Sequence, residues 1–271
     1  MEGPIEKMVT RLAQPVQYQL PMGDDLVDLN PLIGSELTLS YTGKISCIAC
    51  GRKTNKSFNQ GYCYPCFKRL AACDQCIVRP ELCHFHEGTC REPDWGKAQC
   101  FGPHVVYLAN SSGLKVGITR ASQIPTRWID QGASQALPIF EVTDRRTAGL
   151  VEAHMRSFVS DRTDWRKMLK GSPAPVALED ERERLLLAVR EFIDPLNEEA
   201  DAIKVRPAVD HAVCEITFPV DEYPQKVKTH NFDKAPSVSG RLTGIKGQYL
   251  MMGDLVFNIR KFAGYVMELK S

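Results

Sequence analysis

The sequence predicts an α+β protein: zinc-ribbon-like modules and a small three-stranded αβ unit, joined by β hairpins from both termini. Three observations predict it. Nine of the ten cysteines fall between Cys47 and Cys100, which marks a metal-organised region. Both ends of the chain alternate apolar and polar residues at strand period, and the middle alternates strand patterns with helical ones.

Six of the clustered cysteines form three CxxC pairs: Cys47/Cys50, Cys63/Cys66 and Cys73/Cys76. Two intervening residues let both sulfurs curl around one ion, and two pairs complete the S₄ shell that Zn²⁺ favours. The first two pairs are twelve residues apart, CIAC-x12-CYPC, so Cys47, Cys50, Cys63 and Cys66 are expected to hold a structural zinc. Cys73, Cys76, Cys83 and Cys90 form a C-x2-C-x6-C-x6-C array expected to hold a second. His86 or Cys100 are alternatives for either of the last two. Cys214, alone in HAVCEITF, reads as a small buried apolar residue.

At 271 residues the chain has room for two modest domains, or for one with elaborations. A hydrophobic content of 43% and a charged content of 25% are those of a soluble globular protein. No apolar run approaches the ~18–20 residues of a membrane span, and MEGPIEKMVTRLAQ lacks the pattern of a signal peptide. The expected address is the cytoplasm, where thiols stay reduced and zinc is favoured over disulfides. Net charge is +1 and says nothing of partners. Locally, residues 37–72 carry six Lys/Arg and no acid, whereas 171–203 carry nine acids against three Arg. The basic module either meets phosphate or offsets the −2 charge of a tetrathiolate zinc.

The chain divides as follows. Residues 1–46 read as strands (VQYQL, DLVDL, ELTLSY) with turns at MGDD and NPLIG. Residues 47–103 are loop-rich, with a short helix from Tyr64. In 104–171, HVVYLA and LKVGIT make a hairpin around SSG, and PTRWIDQGA opens a helix at Pro125. LPIFEVT is the third strand. DRRTAGLVEAHMRSFVS is then a helix N-capped by Asp144, with Leu150, His154 and Phe158 as its apolar stripe. Residues 172–203 comprise the SPAPVA break and an acidic helix, LEDERERLLLAVREFIDPL, ending at Pro195. Residues 204–271 return to strands (AVCEITFPV, GRLTGIKGQYLMM, LVFNI, GYVMEL). Ungapped, MGDDLVDLNPLIGSELTL (22–39) overlays MGDLVFNIRKFAGYVMEL (252–269) with five identities in eighteen, and both ends are expected to supply matching hairpins to one small sheet or barrel.

The stretch from His104 to Gly171 resembles the GIY-YIG nuclease domain. Its paired triplets read Val105-Val106-Tyr107 and Lys115-Val116-Gly117. A helix with Arg127 follows, and after the third strand Ala148-Gly-Leu-Val-Glu152 matches the A-x-x-x-E helix. The first triplet lacks the family's Gly-Ile, and Lys115 stands where the family has a tyrosine. The resemblance implies that Tyr107 activates or positions water, Arg127 clamps phosphate, and Glu152 holds one Mg²⁺ or Mn²⁺. Lys115 would donate to phosphate or, if burial lowers its pKa, accept a proton. For the polar residue that closes such sites downstream, Asp164 and Asn197 are the alternatives. The whole chain is similar to an uncharacterised bacterial family, a domain of unknown function, through CGRKTNKSFNQGYCYPC, CDQCIVRPELCHF, KVGITR, RWIDQGA, TDWRKML and GIKGQYL.

Two further features have competing readings. His104 is either a site residue or a strand-edge residue. In GRLTGIKGQYL, Gly240, Gly244 and Gly247 with Arg241, Lys246 and Tyr249 form either a phosphate approach or a twisted, bulged strand. The expected function is a nucleic-acid-binding zinc protein with metal-dependent cleavage of phosphodiester bonds in DNA or RNA. The alternative is a catalytically inactive, zinc-stabilised module that binds nucleic acid, or that adapts between proteins through the acidic helix 178–193 and Leu185–Leu187.

Overall fold

A computed structural model describes residues 1–198 and 203–271; residues 199–202, within the predicted linker and acidic-helix unit 172–203, lie outside the described part. The N-terminal segment folds as β1 (Glu2–Pro4), β2 (Val9–Arg11), β3 (Gln17–Met22) and β4 (Asp25–Asp28). A 3₁₀ turn at Asn30–Leu32 and the long β5 (Glu36–Ser46) follow. The cysteine region carries β6 (Lys53–Thr54), α1 (Tyr64–Arg69), four single 3₁₀ turns between Ala71 and Glu87, and α2 (Pro93–Cys100).

The central unit is β7 (His104–Asn110), β8 (Leu114–Arg120), α3 (Thr126–Asp130), β9 (Gln135–Val142), α4 (Arg145–Met155) and α5 (Trp165–Met168). Next come α6 (Leu178–Ala188), α7 (Arg190–Glu198), β10 (Val205–Pro207), β11 (Cys214–Glu215) and β12 (Lys228–Thr229). The chain closes with β13 (Ser237–Arg241), β14 (Gly244–Lys246), β15 (Tyr249–Met252), β16 (Leu255–Asn258), a 3₁₀ turn at Ile259–Phe262, and β17 (Tyr265–Lys270).

The two ends have one architecture used twice. Each runs strand, three-stranded antiparallel meander, 3₁₀ turn, strand: β1 to β5 in one copy and β13 to β17 in the other. The copies exchange strands in one sheet of order β1-β17-β5-β13, in which Leu39 faces Leu269. The backbone contacts repeat as well. Gly34 N donates to Leu242 O and Gly264 N to Ile5 O, both at 2.8 Å. Leu242 N donates to Ser35 O and Ile5 N to Tyr265 O, both at 2.9 Å. These relations define a pseudo-twofold axis at the β5/β17 pairing. The repeated Met-Gly-Asp is the tight turn of each meander, where Gly23 and Gly253 adopt φ of +61° and +58°, a region that suits glycine. Leu20, Met22 and Leu29, together with Leu250, Met252 and Ile259, fill a shared core.

The central sheet has the order β10-β9-β7-β8, with β11 also on β9, all antiparallel. Strand β7 is buried along its whole length because both faces are covered. Val106 and Leu108 pack with α4 and α6 residues, whereas Val105, Tyr107 and Ala109 join the core shared with the terminal strands. That near-continuous apolar run is what a doubly covered strand requires.

Three local expectations are corrected. The acidic helix is two helices, broken at Val189 (φ −104°, ψ 3°), and Pro195 lies inside α7 rather than at its end. Proline cannot donate to the carbonyl four residues back, and the chain has already changed course upstream. AVCEITFPV forms only the two-residue β11; beyond it Ile216 N donates to Ser134 O while Thr217 O accepts from Val16 N, which bridges the central and terminal units. On α4 the buried face is Ala148, Val151 and Met155. Phe158 is 41% exposed, and His154 stacks on Phe192 with centroids 4.1 Å apart.

Candidate functional site

The α4 face decides where Glu152 points. Ala148, Val151 and Met155 turn toward the sheet, and Glu152, four residues after Ala148, emerges beside them into a cleft of about 600 Å³. The cleft is bounded by β8, α3, α4, the cysteine region and the terminal sheet unit. Lys115, Arg127 and Glu152 all line it.

Tyr107 does not line the cleft: its side chain is fully buried beneath it. Its hydroxyl donates to Gln131 Oε1 at 2.9 Å, with the Arg127 guanidinium beside it. The phenol fits because the opposite residue on β8 is Gly117, where a Cβ would stand 2.7 Å from the phenol oxygen. Burial holds the Tyr107 pKa above the usual phenol range, against the pull of Arg127. The geometry therefore suits Tyr107 to seating Gln131 and Arg127, not to contacting water in the cleft.

Lys115 Nζ donates to Thr163 Oγ1 at 3.3 Å. Burial, then Arg127, lowers its pKa to about 8, against the opposing pull of Glu152 and Asp161. Glu152 has a side chain only 13% exposed. Burial raises its pKa; Arg156 opposes that, and Asp161 adds to it. Arg156 lies 3.9 Å from Glu152, 2.9 Å from Asp161 and 3.6 Å from Glu81.

The cleft wall contains residues that the sequence reading missed. Seven cations line it (Lys7, Lys115, Arg120, Arg127, Arg145, Arg156, Arg260) against three acids (Asp130, Glu152, Asp161). That excess makes the cleft an anion site. Arg156 was legible as the i+4 neighbour of Glu152. Lys7, which pairs with Asp130, and Arg260 reach the cleft only through the fold. Asp161, not Asp164 or Asn197, is the downstream polar residue at the cleft. Asp164 Oδ1 caps α5 through Arg166 N and Lys167 N at 3.0 and 3.1 Å. Asn197 closes the approach to β10 through Val205 and Lys204. His104 is buried on β7, with Nδ1 2.8 Å from Gly102 O, away from the cleft lining.

The seven-to-three balance also bears on Mg²⁺ or Mn²⁺. Glu152 and Asp161 offer hard oxygen donors, but the surrounding cations disfavour a lone divalent ion. The donor set fits a metal that arrives with phosphate oxygens completing its shell, which is the common manner for Mg²⁺.

The first cysteine cluster fits zinc directly. The sulfurs of Cys47, Cys50, Cys63 and Cys66 all lie within 4.8 Å of one another. A tetrahedron with zinc–sulfur bonds of about 2.3 Å has edges of about 3.8 Å, and Cys50 Sγ to Cys63 Sγ is 3.8 Å. Cys63 N donates to Cys47 Sγ at 3.2 Å. Burial pulls the Cys47 thiol up, but N–H groups of Cys63, Ala49 and Cys50 outweigh it and hold it at about 6. The four cysteines thus form a cluster fit to hold a metal such as zinc.

The sulfurs of the second predicted ligand set, Cys73, Cys76, Cys83 and Cys90, do not form one mutually close group among the described residues. Cys76, Cys83 and Cys90 line one small cavity, and the fourth cysteine in it is Cys100, not Cys73. Cys73 lies instead toward Asn59, Arg91 and Cys47; it ends the 3₁₀ turn Ala71–Cys73, and Cys76 sits in the next, Gln75–Ile77, with the extended Asp74 (φ −72°, ψ 157°) between them. His86 sits near Glu87 with a side chain 57% exposed, outside the cavity.

GRLTGIKGQYL lies outside the cleft lining: Gly247 (φ +61°) makes the β14–β15 turn and Gly244 packs on Val220. Lys246 is fully buried and donates to Gly171 O at 2.9 Å. The apolar side of the acidic helices also turns inward. Leu178, Leu185, Val189 and Ile193 pack with the central sheet, and Leu187 is the member of the leucine run left 75% exposed.

The cleft wall is tight where α4 crosses the 3₁₀ turn Pro80–Leu82. A Cβ at Gly149 would stand 2.6 Å from Pro80 Cβ and 2.8 Å from the Glu81 backbone N. Gly149→Ala is therefore expected to destabilise the protein by about 1–3 kcal/mol, read as a lower midpoint in urea unfolding, while Gly171→Ala, with open space around it, loses only what its positive φ costs.

No curated protein and no solved structure matches the chain. Residues 34–267, which run from before β5 into β17 and include every cleft-lining residue but Lys7 together with the four-cysteine cluster, match the family described as Protein of unknown function (DUF2797), and the chain belongs to that family.

Proposed function

We propose that this is a zinc-stabilised nucleic-acid-binding protein of the reducing cytoplasm whose cleft cleaves phosphodiester bonds with a divalent metal, in the manner of a GIY-YIG nuclease. The observation that carries it is the meeting of Lys115, Arg127 and Glu152 in a cleft of strong positive balance. These three residues lie in the order and at the spacing of the nuclease resemblance. A phosphodiester has the charge that such a cleft attracts.

In this reading Arg127, seated by Tyr107, takes two phosphate oxygens in a bidentate grip. Arg145, Arg156 and Arg260 hold the flanking charge of the strand. Glu152 and Asp161 provide the carboxylates for Mg²⁺ or Mn²⁺, which when bound supplies Lewis-acid stabilisation of the charge that develops on phosphate. Lys115 takes the role that the resemblance gave to Tyr107. Its amine, deprotonating near pH 8, accepts a proton from the attacking water as the oxygen–phosphorus bond forms and the leaving P–O bond breaks. The leaving oxygen takes its proton from solvent.

The test is incubation of purified protein with Mg²⁺ or Mn²⁺ and single-stranded, branched and structured DNA and RNA. Cleavage that Arg127→Ala abolishes supports the proposal. No cleavage of any of these substrates sinks it and leaves a binding module, whose affinity still falls steeply with salt.

The pH dependence follows from Lys115, which faces Arg127, Glu152 and Asp161. The neutral amine is the active form. The rate is expected to rise roughly tenfold per pH unit below pH 8 and to level off above it. Lys115→Arg should bind nucleic acid but lose cleavage at every pH, since guanidinium does not deprotonate. A rate that falls above pH 8 would instead make Lys115 a cationic phosphate ligand.

A further inference from the structure

We propose that Asp74, Cys76 and His84 bind a zinc ion, with water in the fourth position, and that this ion closes the base of a loop in the wall of the cleft. Ligand atoms of the three side chains all lie within 4.8 Å of one another. A thiolate, a carboxylate and an imidazole are each ordinary zinc donors, and three protein ligands with one water make a shell that zinc adopts. The group shares no residue with the four-cysteine cluster.

Two further observations point to a metal there. The first is the state of the His84 ring. Nδ1 is 2.7 Å from Thr89 Oγ1, and that hydroxyl donates its one proton to His84 O at 3.2 Å. The hydroxyl therefore accepts from Nδ1, which places the ring proton there and leaves Nε2 as a bare lone pair. Holding one ring N–H in this way fixes the tautomer of a metal-binding histidine.

The second is what faces that lone pair. Asp74 Oδ2 lies 3.5 Å from His84 Nε2, so two acceptors stand opposite each other, and a cation belongs between them. A proton alone would draw the pair to the ~2.7–2.9 Å of a charge-assisted hydrogen bond. A zinc ion would not. With Zn–N and Zn–O bonds of about 2.0–2.2 Å, a tetrahedral shell has an N···O edge of about 3.3–3.5 Å. Cys76 Sγ supplies the third donor.

Asp74 is set by its surroundings. Its Oδ1 accepts from Gln75 N at 2.6 Å, and Arg91 Nε lies 2.8 Å from Oδ2; contacts of this kind hold a ligating carboxylate in place. The side chains of Asp74 and His84 are 13% and 27% exposed, so solvent reaches the fourth position. Cys83, Cys90 and Cys100 line the small cavity with Asp74 and Cys76, but their sulfurs do not belong to the close group.

The position of the ion gives it a task. Ile77, Val78 and Pro80, between Cys76 and His84 in sequence, line the cleft, and the Ile77 carbonyl accepts from Arg145 Nη2 at 2.6 Å. Residues 74–103 contribute to none of the hydrophobic clusters among the described residues. A metal joining both ends of this loop adds order where apolar packing, the Phe85–Phe101 pair included, is small. Zinc loss would loosen that wall and the seat of Arg145, whatever the cleft turns out to bind.

Zinc content of the purified full chain by inductively coupled plasma mass spectrometry tests the proposal. His84→Ala is expected to hold one zinc ion fewer per chain than the wild type, and Cys100→Ser and His86→Ala as many. Thr89→Val, which removes the acceptor for Nδ1–H, should weaken zinc at this site about 10–100-fold in chelator competition. A wild-type zinc content in His84→Ala overturns the proposal, as does an ion lost from Cys100→Ser, which would mark a thiol site instead. If His84→Ala does not fold, the zinc-edge X-ray absorption of the wild type decides: a shell of sulfur with nitrogen and oxygen supports the mixed site, and a shell of sulfur alone overturns it.

Discussion

Cys63→Ser is expected to abolish zinc binding at the four-cysteine cluster and unfold the chain around it, with a loss of about 10 °C or more in the melting temperature. Structural zinc sites of this kind carry apparent binding energies of about 10–16 kcal/mol, and a protein of this size shifts by about 2–4 °C per kcal/mol. Even a fraction of the site's energy therefore gives a large effect. The apolar packing of the region is small: among the described residues the cluster of Cys47, Cys63 and Cys66 is joined by Tyr62 and Leu70, with Phe58 against Tyr64 and Phe67 beside it. The damage should also reach the cleft, since Asn59, Gln60 and Tyr62 from the same loop line it. Circular dichroism melts with and without a zinc chelator give the measurement, and protease sensitivity within residues 47–70 locates the change. A Cys63→Ser protein with the melting temperature and zinc content of the wild type would remove the metal from this account.

Glu152→Gln is expected to lower cleavage by about 10²–10³-fold while raising thermal stability at neutral pH. The two effects share a cause. The Glu152 carboxyl is mostly buried and its pKa is raised, so the folded state holds its charge at a cost. For a carboxyl shifted upward, that cost is fully present at neutral pH and fades as pH falls through its raised pKa. Glutamine keeps the shape and removes the charge. Arg156 is not left alone, because Asp161 and Glu81 still flank it at 2.9 and 3.6 Å. A gain in melting temperature together with lost cleavage would mark a residue kept for chemistry at the expense of stability. A loss of stability would make Glu152 a structural ion-pair partner instead.

The sequence displayed the local parts of this molecule better than the assembled ones. The spacing of Cys47, Cys50, Cys63 and Cys66 is a short-range constraint, and the four sulfurs meet. Lys115, Arg127 and Glu152 lie on β8, α3 and α4 of one small unit, where order and spacing nearly determine who meets whom. Cys73 shows the limit of the same logic. Its CxxC with Cys76 matches the first two pairs, yet the two cysteines fall in separate 3₁₀ turns joined by the extended Asp74, and Cys76 but not Cys73 lines the small cavity with Cys83 and Cys90. The stripe of α4 was misplaced because Phe158 is apolar but exposed, whereas the buried face is built from Ala148, Val151 and Met155. Lys7 and Arg260 were beyond reach, since no local pattern places the two ends of a chain on the wall of a cleft in its middle.

The exchange of strands between the two ends has a consequence for biosynthesis. Strand β5 lies between β17 and β13, and Met8 N donates to the side chain of a residue 240 positions later, Gln248. While the ribosome works through the intervening codons, the early strands wait with unsatisfied edges, open to pairing with another nascent copy. Slow assembly and a need for chaperone shielding follow from that wait, and a gene rearranged to make the two β repeats contiguous would shorten it.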